Sequence, residues 1–104
     1  MKQQIYFGTY TKQTSRGIYQ AQLDCNAEHL SQPQPIITVG NPTYLRLTDR
    51  NSLLAVAVEG PLGGIANYNL ADQSFDLLDD QLTTGSSPCY IGYDRSRQLV
   101  FAAY

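Results

Sequence analysis

Apolar residues in this chain gather into short runs, and no window of a dozen residues keeps a 3.6-residue apolar stripe. The pattern predicts strands at Gln4–Tyr10, Gly17–Asp24, Ile36–Val39, Tyr44–Thr48, Leu53–Val58, Ile65–Leu70 and Phe75–Leu82. A further hairpin is predicted within Ser87–Tyr104. Gly17–Asp24 alternates, with Ile18, Gln20 and Gln22 on one side and Tyr19, Ala21 and Leu23 on the other. Gln4–Tyr10 and Leu53–Val58 are apolar on both faces, as expected of strands in a sheet covered on both sides. Thr11–Arg16, Cys25–Pro35, Gly60–Gly64, Ala71–Ser74 and Thr83–Ser87 read as polar or Gly/Pro-punctuated connections.

The pattern repeats. NPTYLRLTDRNSLLAVAVE, Asn41 to Glu59, returns as SPCYIGYDRSRQLVFAAY, Ser87 to Tyr104. Pro42 and Pro88, Tyr44 and Tyr90, Leu45 and Ile91, and Leu47 and Tyr93 are each 46 residues apart. After a turn one residue shorter, Leu54 matches Leu99 and Val56 matches Phe101 at a spacing of 45. Gly17-Ile18 matches Gly64-Ile65 at 47. Four strands recurring at this interval predict an all-β fold, a β-propeller of four-stranded antiparallel blades. The expected division is residues 1–39 as a first blade lacking its inner strand, 40–85 as a complete second blade, and 86–104 as the first two strands of a third. A propeller closes with four or more blades. The chain is therefore expected to need the rest of a propeller, or copies of itself, to cover its open edges.

Composition agrees and excludes several classes. Among 104 residues, 42% are hydrophobic, with eight Tyr and three Phe, and the formal net charge is -2. Lys and Arg form no cluster, so neither nucleic acid nor an anionic membrane is an expected partner. No apolar run is long enough to span a bilayer as a helix. Met1-Lys2-Gln3-Gln4 leads straight into a strand without a signal-like segment, which gives a cytoplasmic expectation. Cys25 and Cys89 lack metal-type spacing and read as free thiols. No His/Cys/Asp cluster has metal spacing and no Gly-rich phosphate loop is present, so no metal or cofactor is expected.

An ordered series of motifs then points further. FGTYT at Phe7–Thr11, GIY at Gly17–Tyr19, NPTYL at Asn41–Leu45, AVAVE at Ala55–Glu59, GGI with a following Tyr at Gly63–Tyr68, and SPCY at Ser87–Tyr90 occur in sequence. Together they resemble the opening of the seven-bladed propeller lactonases of the bacterial 6-phosphogluconolactonase type. The resemblance implies that the chain is about two blades of seven, the N-terminal portion of the fold. It also implies hydrolysis of a sugar lactone, with 6-phosphogluconolactone of the pentose phosphate pathway as leading substrate. A related propeller is a muconate cyclase, which makes a lactone, so membership fixes scaffold before reaction. The chain departs from the family pattern at Tyr90, where His is common, and at Val58 and Ala103, where Asn is common. The family's catalytic residues are expected further along the propeller. A non-catalytic propeller that binds a partner is the other functional class this pattern allows.

Lactone opening needs a base or nucleophile, an activated water, donors for the oxyanion, and a cation for any phosphate. On one face of a propeller the sequence places Tyr10–Thr11, Asn41–Tyr44, Glu59–Gly64, Ser86–Tyr90 and Tyr104. Glu59 is the candidate base; the plainer reading is a solvated loop carboxylate. Tyr90, Tyr44, Tyr10 and Tyr104 are the substrate-lining candidates, against a plainer role packing between blades. Arg46 could reach a phosphate, although an inter-blade or solvent-directed side chain is the simpler reading. Arg50, Arg95 and Arg97 fall in tight turns on the opposite face and read as surface charges. His29 lies in a polar connection, Cys89 reads as a small buried filler, and Ser86 and Ser87 lack a nucleophile elbow. Asp79-Asp80 points to two faces of a strand and makes a poor dyad.

Overall fold

The computed structural model describes residues 2–104. Ten strands form three antiparallel sheets. The first sheet holds β1 (Lys2–Phe7), β2 (Gly17–Asp24), β3 (His29–Leu30) and β4 (Gln34–Thr38). β3 and β4 both pair with β2, one at each end of it. They form one interrupted outer strand, broken at Ser31-Gln32-Pro33, where Pro33 has no N–H to give a ladder. Ser31 mends the break: its N–H donates to Gln22 O at 2.9 Å, and the Gln22 N–H donates to Ser31 Oγ at 2.8 Å.

The second sheet runs β5 (Leu45–Leu47), β6 (Ser52–Glu59), β7 (Leu62–Asn69), β8 (Leu77–Thr84), each strand beside the next. The third holds β9 (Tyr90–Asp94) and β10 (Leu99–Ala103). This up-and-down order is the propeller blade that the repeat predicts.

β6 explains why the strand pattern lacks alternation. Ser52 to Ala57 are all buried. Leu53, Ala55 and Ala57 pack with Ile18 and Ile37 of the first sheet and with Ala66 and Tyr68 of β7. Leu54 and Val56 pack on the other face with Ile91 of the third sheet, edged by Tyr44, Ile65 and Tyr93. One strand thus feeds two cores, and the small Ala side chains let the neighbouring sheets approach. Pro42 and Pro88, matched in the repeat, are both fully buried. The hairpin turns also match: Asp24 Oδ1 accepts the Asn26 and Ala27 N–H groups, Thr48 Oγ1 accepts that of Arg50, and Asp94 Oδ1 accepts those of Ser96 and Arg97.

Several sequence expectations need correction. The first strand ends at Phe7 rather than Tyr10. Gly8 instead packs on the Pro42 turn, and a Cβ there would sit 2.1 Å from Pro42 O. Lys2 to Gln4 are exposed, because no strand pairs with the other edge of β1 among the described residues. Gly60–Gly64 is no loop. Gly60-Pro61 forms a two-residue turn with Gly60 at φ 57, and Gly63 and Gly64 are buried within β7. Gly followed by Pro suits a type II′ hairpin, since Pro cannot take the second positive φ of type I′. The outer strand starts at Leu77 rather than Phe75, which sits at φ 54 in the preceding turn and packs on the core. His29 belongs to a two-residue strand rather than a connection. Cys89 is exposed, not a buried filler, because its neighbour Pro88 takes the inward position.

Candidate functional site at the inner-strand ends

Strand direction gathers the candidates. β1, β4, β6, β8 and β10 end, and β2, β5, β7 and β9 begin, at one end of the molecule. At that end lie Glu59, the last residue of β6, and Tyr90, the first of β9, with Tyr10, Asn41, Tyr44 and Tyr104 in the flanking connections. Asp49, Arg50, Arg95 and Arg97 fall in turns at the other.

The turn before each inner strand is held by the preceding blade. Thr11 N–H and Oγ1 donate to Asn41 Oδ1 at 2.8 and 3.1 Å, and the Asn41 N–H returns a bond to Thr11 Oγ1 at 3.0 Å. Asn41 has a φ of 45, a left-handed conformation that Asn tolerates better than most residues. Gly40 pairs with Val58, whose N–H donates to Gly40 O at 2.9 Å. In the next repeat a Cβ on Gly63 would lie 3.0 Å from Ser87 N, so this glycine admits the Ser87-Pro88 turn. The Thr11–Asn41 clasp does not follow from the sequence, where Thr11 and Asn41 only close and open two separate motifs, FGTYT and NPTYL.

Tyr44 and Tyr90 meet. Their ring centroids are 5.2 Å apart, with planes inclined by 55°. Tyr44 is half-buried against Leu54, Val56 and Ile91, whereas Tyr90 is 46% exposed. Tyr104 follows Ala103, the residue paired with Tyr90, and is exposed. Tyr10 goes elsewhere: it lines a surface hollow of its own loop with Lys12 to Ser15, and Lys12 Nζ lies 5.9 Å from its ring centre.

Glu59 is separate from the tyrosine pair. It lines a cavity of about 460 Å³ between β4 and the second sheet, walled by Val39, Gly40, Tyr68, Asp80 and Leu82 among others. Burial, with Asp80 and Glu59 adding negative charge, pushes the Tyr68 phenol above its ordinary value. Glu59 makes no hydrogen bond or ion pair to a side chain among the described residues, so nothing orients it as a base. Arg46 is exposed and lines a cavity of about 480 Å³ with Gln4, Ile5, Tyr6, Leu45, Leu47 and Leu53, between β1 and β5. Arg95 reaches Asp49 at 3.8 Å, a pair too exposed to add much stability. Asp79 and Asp80 are both exposed on β8, and the Asp80 N–H donates to Asp79 Oδ1. Among the described residues, no group of three or more His, Cys, Asp or Glu could hold a metal ion. The site as it stands is an aromatic, hydroxyl-bearing rim.

Antiparallel sheets in up-and-down order, stacked face to face through shared cores, define part of a β-propeller. Comparison with known proteins narrows this. The family described as "Lactonase, 7-bladed beta-propeller" matches residues 4–104, and the chain belongs to that family. The chain is 39% identical over 101 residues to the 6-phosphogluconolactonase of Bacillus subtilis, covering 94% of this chain and 29% of that protein. It is 38% identical over 103 residues to the protein YwcC of Lactococcus lactis subsp. lactis, covering 99% of this chain and 30% of that protein. A crystal structure of a protein from Lactobacillus plantarum superposes with a TM-score of 0.93 at 40% identity, covering 98% of this chain and 30% of that one. The chain therefore spans about 30% of the length of these relatives.

Proposed function

We propose that the polypeptide carrying this chain is a cytoplasmic lactonase that opens a sugar lactone, with 6-phosphogluconolactone as substrate and 6-phosphogluconate as product. The observation that carries the reading is the family match across residues 4–104, joined to 39% identity with a 6-phosphogluconolactonase. Carbohydrate metabolism, and the pentose phosphate pathway in particular, is where such an activity would serve.

The local chemistry supports a division of labour. Water attack on the lactone carbonyl needs a base, and the alkoxide that leaves the opened ring needs a proton. Among the described residues Glu59 stands apart from the tyrosine rim and lacks an orienting side-chain partner, and no arginine cluster faces the rim. Residues 2–104 accordingly supply wall and binding surface. The base and the phosphate-holding cations would then be supplied by the part of the propeller that the longer relatives have and this chain does not match.

The test is proton release by the purified full-length polypeptide with 6-phosphogluconolactone and with unphosphorylated gluconolactone. Opening well above the spontaneous rate is the expected result, with the phosphorylated lactone preferred. No acceleration with either lactone overturns the reading and favours a non-catalytic binding propeller. Residues 1–104 alone are expected to give no turnover.

A further inference from the structure

Resting on the reading that this end of the propeller receives a lactone, we propose that Tyr44 and Tyr90 form an aromatic platform against which the sugar ring stacks. The ligand class is a neutral polyhydroxylated ring. One face of such a ring is a sheet of C–H bonds that suits a phenol face, and its rim of hydroxyls suits phenol O–H groups.

Three observations converge. The two rings occupy matched positions of the repeat, each two residues after a fully buried proline, so both are delivered by a fixed turn. They stand at the starts of the neighbouring inner strands β5 and β9, where blades border the propeller axis. They also divide the work: Tyr44 is anchored on Leu54, Val56 and Ile91, while Tyr90 leaves nearly half its surface open.

Gly92 completes the arrangement. A Cβ at Gly92 would lie 3.2 Å from Tyr90 Cε1 and 3.4 Å from its hydroxyl. The hydroxyl end of the Tyr90 ring therefore leans along β9 over Gly92, the residue of that strand with no side chain to lift it. Neither the Tyr44 nor the Tyr90 hydroxyl has a hydrogen-bond partner among the described residues, as is also true of Tyr10, Tyr68 and Tyr104 but not of Tyr6, Tyr19 and Tyr93. Two phenol groups are thus left unengaged beside an open ring face.

The experiment measures gluconolactone opening by the full-length polypeptide. Tyr90→Ala is expected to lower kcat/KM for gluconolactone about five- to tenfold, the size of one aromatic contact, through a raised KM. Tyr90→Phe keeps the ring and is expected to lose about twofold, and Gly92→Ala, which tips the ring, to fall between. An unchanged kcat/KM in a folded Tyr90→Ala protein overturns the platform while leaving the lactonase reading intact. If the unaltered protein opens no lactone, the lactonase reading fails, and the platform is read by saturation-transfer NMR with methyl glucoside. Transfer from tyrosine ring protons that disappears in Tyr90→Ala then supports it, and no transfer in the unaltered protein overturns it.

Discussion

The Tyr93 hydroxyl donates to Asp49 Oδ1 at 2.6 Å, tying the inner strand of the third sheet to the hairpin turn of the second. The hydrogen bond from Tyr93 holds the Asp49 carboxyl below its ordinary value, with the Asp49 backbone N–H, Arg95 and Arg50 adding to the effect against partial desolvation. The same bond, then desolvation and the Asp49 charge, raises the Tyr93 phenol above its own.

These shifts set a pH window for this link. A depressed carboxylate stabilises the fold above its unfolded value, about 4, and the contribution disappears as pH falls through the folded value. A raised phenol stabilises the fold below its unfolded value, about 10, and the contribution disappears as pH rises through the folded value. Tyr93→Phe should therefore lower the thermal midpoint between these limits, and the difference should shrink as pH falls below about 4 or rises above about 10. Thermal unfolding from pH 3 to 11 measures this; a constant difference across the range refutes the link.

Ile91 is the third sheet's fully buried contribution to the core it shares with Leu54 and Val56. Ile91→Ala removes that packing and should cost about 2–5 kcal/mol. Leu47→Ala, at a side chain 54% exposed, should change stability by about 0.5 kcal/mol or less. Urea denaturation followed by tyrosine fluorescence compares them, the chain having no Trp. Equal losses would mean that the third sheet does not lean on the second.

Two glycines of one hairpin make a sharper contrast. A Cβ at Gly64 would meet Gln81 O at 1.9 Å, so Gly64→Ala must push β8 away and should cost about 3 kcal/mol. Gly60 has open space around it and only its φ of 57 to satisfy, so Gly60→Ala should cost about 1–2 kcal/mol. The same denaturation experiment ranks them, and the reverse order would contradict the hairpin geometry.

Much of the fold is legible in residue order because propeller packing is periodic. Pro42 and Pro88 recur in one environment, and the run Leu53–Val58 lacks alternation because sheets cover both of its faces. Strand ends are less legible, since contacts between repeats set them: Gly8 stops β1 by meeting Pro42, a residue 34 positions away. Glycine is ambiguous as well. The same residue type marks the turn at Gly60 and the close strand approach at Gly64, and only the register separates the two. Of the candidate site residues, the Tyr44–Tyr90 pair follows from the repeat spacing. The positions of Glu59 and Tyr10 do not, because their side-chain directions depend on the cavity behind β4 and on the Thr11 loop.

Each sheet of this fold is stable only when another leans on it. Leu99, Val100 and Phe101 of β10, with Tyr104 beyond it, and Leu77 and Leu78 of β8, are left facing solvent here. Sedimentation velocity of the purified 104-residue chain, of 11.6 kDa, measures the consequence across a range of concentrations. Association that grows with concentration is expected, through those apolar flanks and the edges of β1 and β10 left unpaired among the described residues. A compact monomer at every concentration, with cooperative unfolding, would contradict it.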